Sequence, residues 1–170
     1  MNFFGLSKSK VKKYLTPNSN VLPTIKSAIR GWTARGTILS IRFPFYKDQK
    51  KLLENKVIKN EHELFVYKTF SMGKKEFREL LRSQYMRKGH VNIEEGLMTV
   101  TQLRHLPKRF IGGSDYAVIV RLRITSYFNI AKYSIFPEKR EVLVNNLKWK
   151  VSGDWKMVGN RVFMKGYEYD

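Results

Sequence analysis

The sequence predicts an α+β protein: an antiparallel β-sheet packed with two helices and preceded by a mobile basic N-terminal arm. Three observations carry this expectation. Tyr116, Val118, Val120, Leu122 and Ile124 alternate with Ala117, Ile119, Arg121, Arg123 and Thr125, the period of a half-buried strand. Phe77, Leu80, Leu81, Gln84 and Tyr85 fall at helical spacing between Lys74 and Lys88, with Gly89 as a stop. Two tight-turn signals, Ser152-Gly153-Asp154 and Gly159-Asn160, then join three apolar runs into a meander.

Taken in order, residues 1–30 read as a flexible basic arm, broken at Pro17-Asn18-Ser19-Asn20 and Pro23, and residues 31–170 as one globular domain. Thr37 to Phe45 reads as a first strand with Leu39, Ile41 and Phe43 on one face, and Pro44 pushes it toward a sheet edge or an early end. Glu63 to Phe70 reads as a second strand, followed by the helix Lys74 to Lys88. Asn92 with Glu95 has the form of a capped helix start, and Ile93, Leu97, Val100 and Leu103 then share a helical face that Pro107 ends. Phe110 to Asp115 is a Gly-rich loop into the strand Tyr116 to Thr125, whose opposite face carries Arg121 and Arg123. Val142 to Val151, Trp155 to Val158 and Arg161 to Lys165 complete the sheet.

Charge dominates the composition. Among 170 residues, 33 Lys plus Arg oppose 14 Asp plus Glu, a formal +19. Solubility needs a net charge of only roughly 2–8 in a small domain, so this surplus points to a polyanionic partner: nucleic acid, nucleoprotein or an anionic membrane surface. The first acidic residue is Asp48, and nine basic residues precede it. The absence of cysteine excludes disulfides and thiolate metal sites. No stretch approaches a membrane span of about 20 apolar residues. Met1 to Leu6 is too short for the apolar core of a signal peptide.

Catalytic patterns are scarce. His62, His90 and His105 have no partner at metal-ligand spacing. Glu94-Glu95 suits a helix N-terminus, and no carboxylate pair, nucleophile elbow or phosphate loop stands out; Gly112-Gly113-Ser114 fits an inter-element loop better. The expectation is a protein that is not an enzyme and has neither cofactor nor metal. Binding features are richer. Phe3, Phe4 and Leu6 form an apolar tip for lipid insertion or docking on a neighbouring copy, beside Lys8, Lys10, Lys12 and Lys13. Four lysines at an anionic leaflet contribute roughly 4 kcal/mol, and the same tract can neutralise RNA phosphates. Arg121 and Arg123, with Lys148 and Lys150, form a second anion-binding set on a sheet face. Trp149, Trp155 and Phe163 lie nearby in sequence, the tryptophans better suited to the core than to base stacking.

The basic arm Met1 to Lys13, the segment His105-Leu106-Pro107-Lys108-Arg109-Phe110 leading into the long strand, and the ending Lys150-Val151-Ser152-Gly153-Asp154-Trp155 together resemble a rhabdovirus matrix protein. The isolated prolines, Pro17, Pro23, Pro44, Pro107 and Pro137, and the short chain are closest to the plant-infecting, cytorhabdovirus-like members. The resemblance implies a virion structural protein that self-associates, condenses the ribonucleoprotein core and bridges it to the anionic envelope. Its implied partners are further copies of itself, the viral nucleocapsid and RNA, the membrane surface and the viral glycoprotein. Its implied location is the virion and the host cytoplasm and internal membranes, with the nucleus as a further site. A ribosomal or other RNA-binding structural module is the alternative that the same charge pattern supports.

Overall fold

The structure, a computed structural model, describes residues 24–34, 46–104 and 116–170. The expected strand over 37–45, the apolar tip and Lys8 to Lys13 lie outside the described residues. Helix α1 (Ile25–Ala34) opens on a reciprocal cap: Thr24 Oγ1 accepts from the Ser27 N–H at 3.1 Å, and Ser27 Oγ accepts from the Thr24 N–H at 2.8 Å. The expected arm boundary at residue 30 thus falls inside α1, whose Ala28 and Ile29 are fully buried. These two pack with Leu53 of helix α2 (Tyr46–Glu54) and with Ile130 and Leu143 in a small cluster of their own.

Six strands follow: β1 (Ile58–Met72), β2 (Val91–Thr101), β3 (Tyr116–Asn129), β4 (Glu141–Val151), β5 (Lys156–Val158) and β6 (Arg161–Glu168). Helix α3 (Lys74–Arg82) sits between β1 and β2. Strands β1, β3, β6 and β5 form one layer, β2 and β4 the other. The layers join where Tyr67 meets Thr101, where Phe128 and Asn129 meet Leu143 and Val142, and where Trp149 to Val151 meet Glu168 to Gly166. Between them lies the main core: Val66 from β1, Val118 to Ile124 at alternate positions of β3, Val162 and Met164 from β6, and Val100, Val142, Val144, Leu147, Trp149 and Val151 from the other layer.

Four corrections to the sequence expectation follow. The sheet is mixed, because β4 runs antiparallel to both β3 and β6, which forces those two to be parallel where they pair, from Ala117↔Arg161 to Arg123↔Tyr167. Three short helices are present among the described residues, not two. The segment expected as a second helix from Asn92 is strand β2. It lies between the main core and the α1–α2 cluster, so Val100 enters one, Leu97 packs against the other and Ile93 is left exposed. Apolar residues on both faces erase the alternation that marks a half-buried strand. A bulge adds to this: Glu95 and Gly96 oppose Asn146, with Gly96 at φ +78° and Asn146 at φ +49°, and Asn146 Oδ1 accepts from the Gly96 N–H at 2.8 Å. The expected helix Lys74 to Lys88 is shorter, because Ser83 N–H and Oγ both bind the Leu80 carbonyl, at 3.0 and 2.6 Å, and close it. Phe77 of that helix is buried and its ring meets Tyr116 at 4.6 Å.

Candidate active site

Where β1 and β2 touch at Tyr67 and Thr101, the edge between the two layers opens into a cleft of about 320 Å³. Tyr67, Lys68, Thr69 and Ser71 of β1 line one wall, and Thr99, Val100 and Thr101 of β2 another. Lys139 and Glu141 at the head of β4 complete it. Strand pairing brings these residues together: Thr101 lies opposite Glu141, and Thr99 opposite Leu143.

Local structure fixes each group. A 3-10 turn over Pro137–Lys139 ends on Arg140 in the left-handed region, φ 45°, which redirects the chain at the cleft. Thr101 Oγ1 donates to the Lys139 carbonyl at 2.5 Å and accepts from the Leu103 N–H at 3.0 Å, pinning that turn to the end of β2. Helix α1 reaches the same strand through Trp32, whose indole N–H donates to Thr99 Oγ1 at 2.7 Å. Lys68 Nζ donates to the Thr99 carbonyl at 3.4 Å. Thr69 Oγ1 is buried and has no hydrogen-bond partner among the described residues, a costly arrangement.

Glu141 is the acid of this cleft. Burial pushes its carboxyl above the usual carboxylate range, Lys139 pulls it back, Glu138 raises it further and Lys68 lowers it. A carboxylate short of water, with two ammonium groups on the same cleft, can stabilise positive charge developing on a ligand while the lysines hold the ligand's anionic part.

The two histidines within the described residues remain outside this cleft. His62 is exposed, and the His90 ring packs edge-on against Tyr85 at 5.2 Å. No group of three or more His, Asp or Glu side chains that could hold a metal ion occurs among the described residues. Glu94 belongs to the core edge, accepting from the Trp149 indole at 3.3 Å. Gly112-Gly113-Ser114 and His105 lie outside the described residues. Arg121 and Arg123 stand on the outer face of β3, and Lys148 and Lys150 lie over the Tyr169 ring at 4.8 and 4.0 Å. Trp149 is buried and Trp155 packs against the core, so neither offers a stacking surface.

Sequence reasoning missed Glu141, Lys68, Lys139, Thr99 and Thr101. It looked for paired carboxylates, whereas this cleft has one acid among cations. The available signal was a carboxylate heading the apolar run Val142-Leu143-Val144 directly after a charged turn.

No family model and no curated protein matches the chain. Solved structures do. The ADP-ribosyltransferase Vis of Vibrio splendidus, in complex with an inhibitor, superposes with a TM-score of 0.61 at 15% identity, covering 97% of this chain and 86% of that one. An ADP-ribosyltransferase of Clostridium botulinum gives 0.59 at 16% identity, covering 96% of each chain. An ADP-ribosyltransferase of Pseudomonas syringae gives 0.58 at 13% identity, covering 95% of this chain and 81% of that one. The chain therefore has the fold seen in ADP-ribosyltransferases. This overturns the resemblance to a rhabdovirus matrix protein and, with it, the expected role as a virion scaffold. The expectation of a protein that is not an enzyme falls too, because it rested on motifs read locally, whereas the cleft is assembled from three strands far apart in sequence.

Proposed function

We propose that the chain transfers an ADP-ribosyl group, with Glu141 as the residue that stabilises the transition state. The observation that carries this reading is the Glu141 carboxyl, raised by burial and set between Lys68 and Lys139 on a fold shared with ADP-ribosyltransferases. In the donor NAD, a ribose carbon is bonded to a positively charged nicotinamide nitrogen. When that bond breaks, its electron pair neutralises the nicotinamide and positive charge spreads over the sugar carbon and ring oxygen. A carboxylate held out of water is worth most at that moment. An acceptor nucleophile then forms the new bond to the same carbon and gives up its proton to solvent.

Lys68 and Lys139 supply positive charge for the donor diphosphate. Glu141 must be ionised to act, so turnover rises with pH through its elevated pKa.

The test is nicotinamide release from NAD, with and without added protein acceptors. Wild type should release nicotinamide, and Glu141→Gln should lower the rate by about 10²–10³-fold with NAD affinity little changed, the scale of losing one transition-state partner. A folded wild-type protein that neither binds NAD nor releases nicotinamide overturns the reading. So does a Glu141→Gln variant with full activity.

A further inference from the structure

The outer face of the β1–β3–β6 layer carries a pattern that shares only Tyr67 with the Glu141 cleft. Strand register sets Phe65 beside Arg123 and Tyr67 beside Arg121 on one flank. On the other flank Phe163 lies beside Ile119, Lys165 beside Arg121, and Tyr167 beside Arg123. Phe65 is 53% exposed and Phe163 42%. The Arg121 guanidinium lies 5.0 Å from the Phe65 ring centre and that of Arg123 5.9 Å from Tyr167. The face continues around the sheet corner, where Lys150 pairs with Tyr167 and, with Lys148, covers Tyr169. Glu63 opposes this charge through an ion pair with Arg123 at 3.8 Å, both side chains about half exposed.

We infer that this face binds single-stranded nucleic acid, the rings and guanidinium planes stacking on bases while Lys148, Lys150 and Lys165 meet the phosphates. The ligand is polyanionic because the face carries five cations, Arg121, Arg123, Lys148, Lys150 and Lys165, on a chain of net charge +19. It has bases because the exposed rings are interleaved with those cations, the arrangement that stacking demands and that a purely electrostatic surface does not need. It is single-stranded because same-face side chains stand about 7 Å apart along a strand, whereas duplex bases are stacked about 3.4 Å apart with their faces hidden. A lipid surface would instead favour a continuous apolar patch, and here Phe65 and Tyr67 face Arg123 and Arg121, Tyr167 faces Arg123, and Phe163 faces Lys156 of β5.

The experiment is fluorescence anisotropy of the whole protein with a labelled oligouridine of about twelve nucleotides, within the usual single-strand site sizes. The same strand in a duplex, heparin as a polyanion without bases, and phosphatidylserine vesicles serve as the other ligands. The single strand should bind more tightly than the duplex. Phe65→Ala with Phe163→Ala should weaken it about tenfold or more and leave heparin binding unchanged. Phe65→Leu with Phe163→Leu, which keeps the apolar bulk without the ring, should show the same loss while preserving the fold as seen by circular dichroism. Arg121→Ser with Arg123→Ser should weaken both ligands and flatten the salt dependence. Unchanged oligonucleotide binding in both phenylalanine variants, equal affinity for duplex, or a preference for vesicles overturns the inference. Glu141→Gln should bind the oligonucleotide like wild type, so this result stands apart from the fate of the transferase reading.

Discussion

Two glutamates at strand ends of the same sheet have opposite fates. Glu141, heading β4, lines an open cleft, and burial leaves its carboxyl above the ordinary range. Glu168, ending β6, is also drawn upward by burial, but hydrogen bonds from Ser126 and Thr125 outweigh that and bring it below the ordinary range. Its Oε2 accepts from the Thr125 N–H at 2.7 Å, Thr125 Oγ1 at 2.8 Å and the Ser126 N–H at 3.0 Å. One carboxylate is fully used by its own protein, tying β6 to β3. The other is kept short of partners, the condition under which a charged group acts strongly on a bound ligand. The difference separates a structural acid from a working one more sharply than sequence context does, since both simply stand at a strand end.

Substitutions should divide along the same line. The largest effect is that of Glu141→Gln on turnover, about 3–4 kcal/mol in the barrier, with the denaturation midpoint at neutral pH equal to or above that of wild type. Glu168→Gln should do the reverse: loss of charge-assisted bonds costs about 2 kcal/mol of stability, read by urea denaturation, while the folded fraction keeps its rate of nicotinamide release. Equal catalytic losses in both variants would erase the distinction.

Titration sharpens it further. The Glu168 contribution should be present above the ordinary value of 4.5 and lost as pH falls through its lower folded-state value. Glu141 has the opposite sign: stability falls as pH rises from 4.5 through its elevated folded-state value, because the unfolded chain ionises first. Denaturant melts of wild type and Glu141→Gln across this range should therefore converge at low pH and part above it. The smallest effect is expected at Thr69. Thr69→Val removes a buried hydroxyl without a partner among the described residues, so it should raise stability by up to about 1 kcal/mol and leave the KM for NAD unchanged. A lower denaturation midpoint would show that the hydroxyl is used by the fold.

The sequence made much of the fold legible. The alternation over Tyr116 to Ile124 places those residues in the core, and the apolar runs after residue 141 are β4, β5 and β6. It misled at Asn92 to Leu103, where a strand covered on both sides imitates a helix. The cleft was illegible for a different reason. Lys68, Thr99 and Glu141 converge through pairings between distant strands, and neither spacing nor local motif records such a meeting. Arg121 and Arg123 were visible as an outward pair, but the rings beside them, Phe65 and Tyr167, arrive from other strands.

The parallel pairing of β3 with β6 also sets a timetable. β6 lies between β3 and β5 and touches β4, so three strand relations wait for residues 161–168. Until they arrive, the apolar edge Ala117-Val118-Ile119-Val120 has open backbone groups on that side, the kind of edge that recruits other chains. A chain with such late, long-range closure should fold slowly and depend on protection while it does so. Production of shortened forms ending before Arg161 should yield aggregates, whatever their chemistry would have been.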